Sequence, residues 1–97
     1  MLTKTQIQVA ASVLHILEQE GATFGPTSIP SRGLCAREAC LELQHPDAEI
    51  DSVVVEFREE AVCFTIEFSN EDLAQNPVDC IDRAMMVRRA LLNMSSN

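Results

Sequence analysis

The spacing of apolar residues predicts a helix at the start of the chain, between Thr3 and Gly21. Its apolar positions would cover about 220° of the helix circumference, whereas a stripe of ~100° is enough for a helix that buries one side. Thr3 and Gln6 have the spacing of a capping box, and Gly21 is the left-handed residue that ends many helices. A helix this apolar is either wrapped by other elements or forms a subunit interface, so homodimerisation through it is one expectation.

Glycine and proline residues interrupt the pattern over residues 22–33, which are therefore predicted as an ordered loop anchored by Phe24. Loops of this length are often functional, and a plain connector is the simpler alternative. A second, shorter helix is predicted from Ser31 to about Leu43. It stops before Pro46, because a residue that precedes proline disfavours the helical conformation.

The clearest structural prediction is an antiparallel β-hairpin in the middle of the chain. Apolar residues alternate with other residues over two runs, 53–57 and 62–68. If Phe57 faces Val62, the apolar positions of both strands lie on one face, and residues 58–61 form an exposed acidic loop. Two strands alone are marginally stable, so this face is expected to pack against helices.

A short helical turn capped by Ser69 and a long last helix complete the pattern. Asn76, Pro77 and Asp79 follow one another as is typical of a helix N-terminus. Val78, Ile81, Met85 and Leu92 are predicted to form the main apolar stripe of the last helix, which Cys80, Ala84, Val87 and Leu91 broaden. Arg88 falls within this apolar arc, and either its long side chain reaches past its neighbours to water or it pairs with a partner or a partly buried carboxylate.

Together these elements predict one compact α+β domain over residues 1–97, in the order α-α-β-β-α. Ninety-seven residues suit a single domain, and 46% hydrophobic residues are too many for a disordered acidic tail. The N-terminus has no apolar segment typical of a signal peptide, and no run approaches the length of a membrane span. A soluble, cytoplasmic location is therefore expected.

Charge is segregated along the chain. Between Glu38 and Asp82 there are thirteen carboxylates and one cation, Arg58, which gives this segment a net charge of −12 within a chain of net charge −8. Segregated charge creates a directional negative field, whose natural complement is a basic protein surface. With no Trp, no Tyr and no cationic groove, the chain is not expected to bind nucleic acid or an anionic membrane directly.

The sequence gives little support to catalysis or metal binding. His15 and His45 have no evident partner for acid–base chemistry, and the acids of residues 47–51 lack the pattern of a calcium loop. The cysteines contain no CxxC pair, which favours reduced thiols over a zinc site, with a disulfide as the alternative; they are Cys35, Cys40, Cys63 and Cys80. No enzyme activity, metal ion or cofactor is expected.

Acidic residues of the hairpin and of the segments beside it are the candidate contact surface for a basic partner. Alternate strand residues lie ~6.6 Å apart and helical neighbours ~5–6 Å apart, so carboxylates there can stand where phosphates would meet a basic groove. An anionic surface that only keeps the domain dispersed is the simpler alternative. The candidate residues are Glu49, Asp51, Glu56, Glu59, Glu60, Glu67, Glu71, Asp72, Asp79 and Asp82.

In its size, charge, α+β pattern and glutamate-rich hairpin, the chain resembles the small acidic anti-CRISPR proteins of bacteriophages that mimic DNA. The resemblance implies an inhibitor encoded by a phage and acting in the cytoplasm of its bacterial host. The implied partner is a CRISPR surveillance or effector complex, bound at its DNA-binding groove. The implied action is steric block or conformational locking, without chemistry.

A second resemblance leads to a different class of function. Small, acidic, dimeric α+β proteins also serve as cytoplasmic chaperones of type III secretion effectors. The very apolar first helix and the methionines of the last helix, Met85, Met86 and Met94, would suit the binding of an extended effector segment. Binding of such a client would depend on apolar contacts and would survive high salt.

Overall fold

The computed structural model of the protein describes residues 3–26, 33–44 and 52–95, and confirms the predicted α+β class. In that part of the chain, four helices surround one face of a three-stranded antiparallel sheet. The elements are α1 (Lys4–Gln19), β1 (Ala22–Pro26), α2 (Ala36–Gln44), β2 (Ser52–Glu59), β3 (Val62–Ser69), α3 (Asn70–Gln75) and α4 (Pro77–Ser95). None of these described helices is long and apolar enough to cross a membrane.

The first helix begins and ends as predicted, and it lies inside the helical layer. Thr3 and Gln6 form both hydrogen bonds of the capping box, and Gly21 takes a φ of 96° directly after the helix. One side of α1 is fully covered by packing against α2, α3, α4 and β1; its buried residues are Ala10, Val13, Leu14 and Leu17. Packing within one chain thus covers part of the apolar circumference, whereas Ile16 stays 42% exposed, and the homodimer through this helix stays a prediction.

The predicted loop over residues 22–33 is wrong in its first part. Residues 22–26 form the edge strand β1, in which Phe24 lies opposite Val55 and is completely buried. The proline at the end of β1 is compatible with this position because an edge strand leaves one row of N–H groups unpaired. Phe24 also donates its N–H to the carbonyl oxygen of Leu34 over 2.9 Å, which closes the loop between them. Residues 27–32 lie outside the described residues.

The second helix begins at Ala36, five residues later than predicted. Gly33 has a φ of 66° and Leu34 pairs with β1, so neither residue is helical. The carboxylate of Glu18 accepts a hydrogen bond from the N–H of Ala36. This contact satisfies one of the free N–H groups at the start of α2 and ties that helix to the end of α1. Ser31 and Pro46, which framed the prediction, lie outside the described residues.

The hairpin is confirmed, but its predicted register is wrong by two residues. Phe57 lies opposite Phe64, and Glu59 lies opposite Val62, so the turn contains only Glu60 and Ala61. Because the shift is an even number of residues, the apolar row stays on the helix-facing side of the sheet. Glu60 takes a φ of 53°, which lets a two-residue turn join the strands, and the tip is exposed as expected.

The last helix begins at Pro77 as predicted, and its most buried residues are ones predicted to broaden the main stripe. Cys80, Ala84 and Leu91 are the buried residues of α4, whereas Val78 is 68% exposed and Leu92 is 38% exposed. The predicted stripe favoured large side chains, and the close contact between α4 and the sheet instead uses two of the smallest apolar ones. Several of the larger apolar residues of α4 are consequently left exposed.

Candidate protein-binding surface

The structure divides the predicted contact residues between the two ends of the sheet. Eight of the ten are described, and Glu49 and Asp51 lie outside the described residues. We call the end where β3 passes into α3 and α4 the acidic end; it carries Glu67, Glu71, Asp72, Asp79 and Asp82. We call the other end the hairpin end; it carries Glu59 and Glu60, with Glu20, Arg58 and Arg88 around them. The length of β3 separates these two ends by about 25 Å.

The acidic end consists of carboxylates on three consecutive elements. Glu67 is exposed near the end of β3 and accepts a hydrogen bond of 2.8 Å from the hydroxyl of Ser52. Glu71 and Asp72 are in the first turn of α3, and Asp79 is in the first turn of α4. Acids are favourable at these positions because the free N–H groups of a helix N-terminus carry partial positive charge. The fold thus gives several of these carboxylates positions that the helix N-termini stabilise.

One arginine, Arg83, lies against the acidic end. Its Nη1 atom is 4.0 Å from a carboxylate oxygen of Asp72, and its guanidinium lies 5.4 Å from the centre of the Phe68 ring. Both members of the ion pair are more than 40% exposed, so the pairing is loose and contributes little. The five acids and this arginine together have a formal charge of −4, and the surface stays strongly negative.

The hairpin end is less negative than the acidic end because arginines pair with some of its carboxylates. Arg88 donates from Nε to the main-chain carbonyl oxygen of Glu20 over 2.6 Å, and its Nη1 lies 3.7 Å from the Glu20 carboxylate. Glu20 is the C-cap of α1, so Arg88 places a positive charge at the negative end of that helix. Of the alternatives for Arg88, the structure shows pairing with a carboxylate, that of Glu20, whose side chain is 42% exposed. A cleft of about 140 Å³ remains between Arg88, Arg58 and Glu59.

Glu56 lies between the two ends, on the sheet face turned away from the helices. Its side chain is only 12% exposed, and it accepts a hydrogen bond of 3.1 Å from Nη2 of Arg58. A carboxylate that is mostly covered and already paired offers little to a partner. We therefore leave Glu56 out of the candidate contact surface, although the sequence pattern placed it there.

The cysteines divide into two exposed and two buried thiols, and all four are free. Burial raises the pKa of the Cys40 thiol. Burial also raises the pKa of Cys80, and the nearby carboxylates of Asp72 and Asp79 raise it further while Arg83 opposes them. The negative field of the acidic end thus reaches into the core. Among the described residues, no group of three or more histidine, cysteine or acidic side chains is arranged to hold a metal ion.

Comparison with known proteins gives no relative for this chain: no family model, no curated protein and no solved structure matches it. The functional argument therefore depends on the geometry and charge of the chain itself. Sequence reasoning found the acids of the surface but missed how they are neutralised. The signal for the pairing of Arg88 was its position in an apolar arc, and its partner Glu20 is 68 residues away.

Proposed function

We propose that the protein is a non-enzymatic inhibitor that binds a basic, nucleic-acid-binding surface of another protein through its acidic end. The observation that carries this proposal is the set of five carboxylates on β3, α3 and α4, opposed by one loosely paired arginine. Attraction to a Lys- and Arg-lined groove requires only that negative charge stand where phosphates would stand. Binding of this kind blocks the groove without any catalytic residue.

The number of carboxylates at the acidic end sets the length of nucleic-acid strand that this end can imitate. One strand of DNA carries a charge every ~3.4 Å, so five carboxylates match about 17 Å of a single strand. The shorter dimensions of the molecule are 25 and 17 Å, which accommodates a segment of that length. The proposed mimic therefore replaces about five nucleotides of one strand and blocks the groove over that length.

The acidic end is also held rigidly, which favours binding. Leu73 of α3 and Cys80 of α4 are completely buried, and Ser69 accepts a hydrogen bond from the N–H of Asp72 over 3.0 Å. Carboxylates on anchored helices lose less conformational freedom on binding than carboxylates on a loose loop. Electrostatic complementarity of this kind increases the rate of association and the specificity for basic partners.

The partner that we propose is a CRISPR surveillance or effector complex in a bacterial cytoplasm, which is what the resemblance to acidic anti-CRISPR proteins suggests. The proposal requires only a basic groove that normally receives DNA. A mobility-shift experiment tests it, with guide-loaded CRISPR complexes of several types, labelled target DNA and increasing amounts of the protein. We expect release of DNA from a susceptible complex at 50 mM salt, and at least tenfold weaker inhibition at 300 mM salt.

The control in that experiment is the labelled DNA without any CRISPR complex. The protein should leave the mobility of the free DNA unchanged, since both molecules are anionic. If every complex retained its DNA at 50 mM salt and a hundredfold molar excess of the protein, a CRISPR complex would be ruled out as the partner. Inhibition that is equally strong at both salt concentrations would remove electrostatic mimicry.

A second candidate function has one observation in its favour. The outer side of α4 exposes apolar residues, among them Val78 and Met86, each 68% exposed, and Met94. A chaperone that holds an extended effector segment would use such a surface, as flexible methionines adapt to varied clients. Binding of a type III secretion effector would survive 300 mM salt and weaken in a Met86→Ser variant, whereas the mimic would keep its affinity in that variant.

A further inference from the structure

The outer edge of β3 lacks the features that usually prevent an exposed strand from pairing. Within the described residues, β3 pairs with β2 alone, through eight consecutive residue pairs without a bulge. It contains no proline and no lysine, and its only charged residue is Glu67. Natural edge strands are normally protected by one or more of these devices, because unpaired N–H and C=O groups bind other strands. About eight such groups lie along this edge.

The apolar side of β3 is also incompletely covered. Val62, Phe64 and Ile66 point to the same side as the buried residues of β2, but each of them is only partly buried. The corresponding residues of the central strand, Val53, Val55 and Phe57, are no more than 2% exposed. The helical layer thus leaves the β3 side of the apolar face open to water.

We infer that β3 pairs with β3 of a second copy of this chain, which joins the two sheets into one six-stranded sheet. The sequence of β3 indicates which strand would pair with its open edge. A partner strand must alternate apolar and polar residues with the same period and must not place another carboxylate opposite Glu67. An antiparallel copy of β3 satisfies both conditions, since its two-fold symmetry places Cys63 opposite Glu67.

The geometry favours a two-fold axis beside Thr65. In this register Thr65 lies opposite Thr65 of the second copy, Phe64 lies opposite Ile66, and all seven residues from 62 to 68 are paired. The two Glu67 carboxylates are then about 14 Å apart along the strands, which is beyond the ~8 Å screening length at physiological salt. An axis beside Ile66 would halve that separation, and an axis beside Phe64 would pair fewer residues.

The expected interface is modest. A standard interface buries about 800 Å² per partner, which would be roughly one eighth of the 6041 Å² of accessible surface of one copy. Each copy has a net charge of −8, so long-range repulsion opposes association. We therefore expect a reversible dimer that becomes tighter as salt increases. This salt dependence is opposite to that of the proposed binding to a basic partner, so the two proposals succeed or fail separately.

Two matched variants test the dimer. Thr65 and Thr23 are both exposed, and both lie opposite Glu56, one on each edge of the sheet. Thr65→Lys and Thr23→Lys therefore add the same charge beside the same carboxylate. Only Thr65→Lys places two lysines opposite each other in the dimer. Sedimentation velocity between 10 µM and 1 mM protein measures the dissociation constant of the dimer. We expect the original chain to dimerise and Thr65→Lys to dimerise at least about fivefold more weakly. Thr23→Lys should have the same dissociation constant as the original chain.

A cross-link provides a second measurement that does not depend on weakening the interface. In a chain with Cys35→Ser and Cys63→Ser, Thr65→Cys should form a disulfide-linked dimer under mild oxidation, because directly opposed Cβ atoms lie about 4.5–5.5 Å apart, close to the ~3.5–4.5 Å of a disulfide. Thr23→Cys in the same background should not. A chain that stays monomeric at 1 mM and 300 mM salt would overturn the inference. Equal effects of the two lysine variants, or equal cross-linking at the two edges, would also overturn it.

Discussion

The acidic end and the hairpin end both carry several carboxylates, and they differ in what the fold places among them. At the hairpin end, Arg88 pairs with Glu20 and Arg58 pairs with Glu56, so two of the four carboxylates there are neutralised and the charge of Glu59 and Glu60 remains. At the acidic end, Arg83 is held loosely at 4.0 Å from Asp72. The difference indicates that a run of acids in a sequence becomes a negative surface where, among the described residues, the acids outnumber the cations that the fold brings to them.

The same comparison explains why each end has its charge. The hairpin end contains the C-terminus of α1, where a cation is favourable, whereas the acidic end contains the N-termini of α3 and α4, where anions are favourable. The carboxylates proposed to imitate phosphates therefore also stabilise the helices that carry them. Substitutions at the acidic end must be checked for stability before a loss of binding is interpreted.

The largest effect is expected from charge reversal at the acidic end. Glu71→Lys with Asp82→Lys should weaken binding to a CRISPR complex that the protein inhibits by about thirtyfold at 50 mM salt, because two attractions become repulsions. Glu59→Lys with Glu60→Lys is the matched control, since both pairs change the net charge from −8 to −4. Titration calorimetry should show less than threefold weakening for this control. Equal weakening by both pairs would mean that only net charge matters.

The next effect concerns stability at the hairpin end. Arg88→Ala should lower the free energy of unfolding by about 1–2 kcal/mol, because it removes a charge-assisted hydrogen bond to the C-cap of α1. Arg89→Ala removes the neighbouring exposed arginine and should change the stability by less than 0.5 kcal/mol. Urea denaturation measures both variants. Similar losses in the two would show that Arg88 has no special role at this end.

A smaller effect is expected at the hairpin turn. Glu60 has a φ of 53°, a conformation that asparagine adopts more readily than glutamate. Glu60→Asn should therefore raise the free energy of unfolding by about 0.5 kcal/mol. Glu59→Asn, in the adjacent strand position, should give no increase because asparagine is disfavoured in strands. A destabilised Glu60→Asn variant would indicate that the glutamate side chain itself supports the turn.

The smallest effect tests whether the field of the acidic end reaches the core. The raised pKa of Cys80 means that its thiol ionises in the unfolded chain before it ionises in the folded one, so stability falls as the pH rises above about 9. Asp79→Asn removes one cause of the shift and should make this loss smaller. Glu59→Gln, at the hairpin end, should leave it unchanged. Urea denaturation at pH 8, 9 and 10 gives the change in the free energy of unfolding with pH for each variant. The same change in both variants would contradict an electrostatic effect of Asp79 on Cys80.

The parts of the fold that local signals determine could be predicted from the sequence. The capping box at Thr3, the stop at Gly21 and the start of α4 at Pro77 each depend on residues within one turn of each other. The strand β1 could not be predicted, because its glycine and proline are typical of loops and only pairing with β2 makes it a strand. The register of the hairpin was predicted wrongly because nothing in the hairpin sequence shows that Glu60 adopts a left-handed conformation.

The candidate surface could be predicted only in part, for a related reason. The sequence identified the acids, but the pairing of Arg88 with Glu20 joins residues 68 positions apart that only the tertiary fold brings together. Local patterns show where charge occurs along the chain. They do not show which charges are neutralised when distant elements meet.

Amide hydrogen exchange of the protein, free and bound to a CRISPR complex that it inhibits, tests the central claim most directly. The account predicts slower exchange on binding over residues 67–83, which contain the acidic end, and unchanged exchange in the hairpin turn at residues 59–62. Protection confined to the hairpin turn, or to the exposed apolar side of α4, would contradict it.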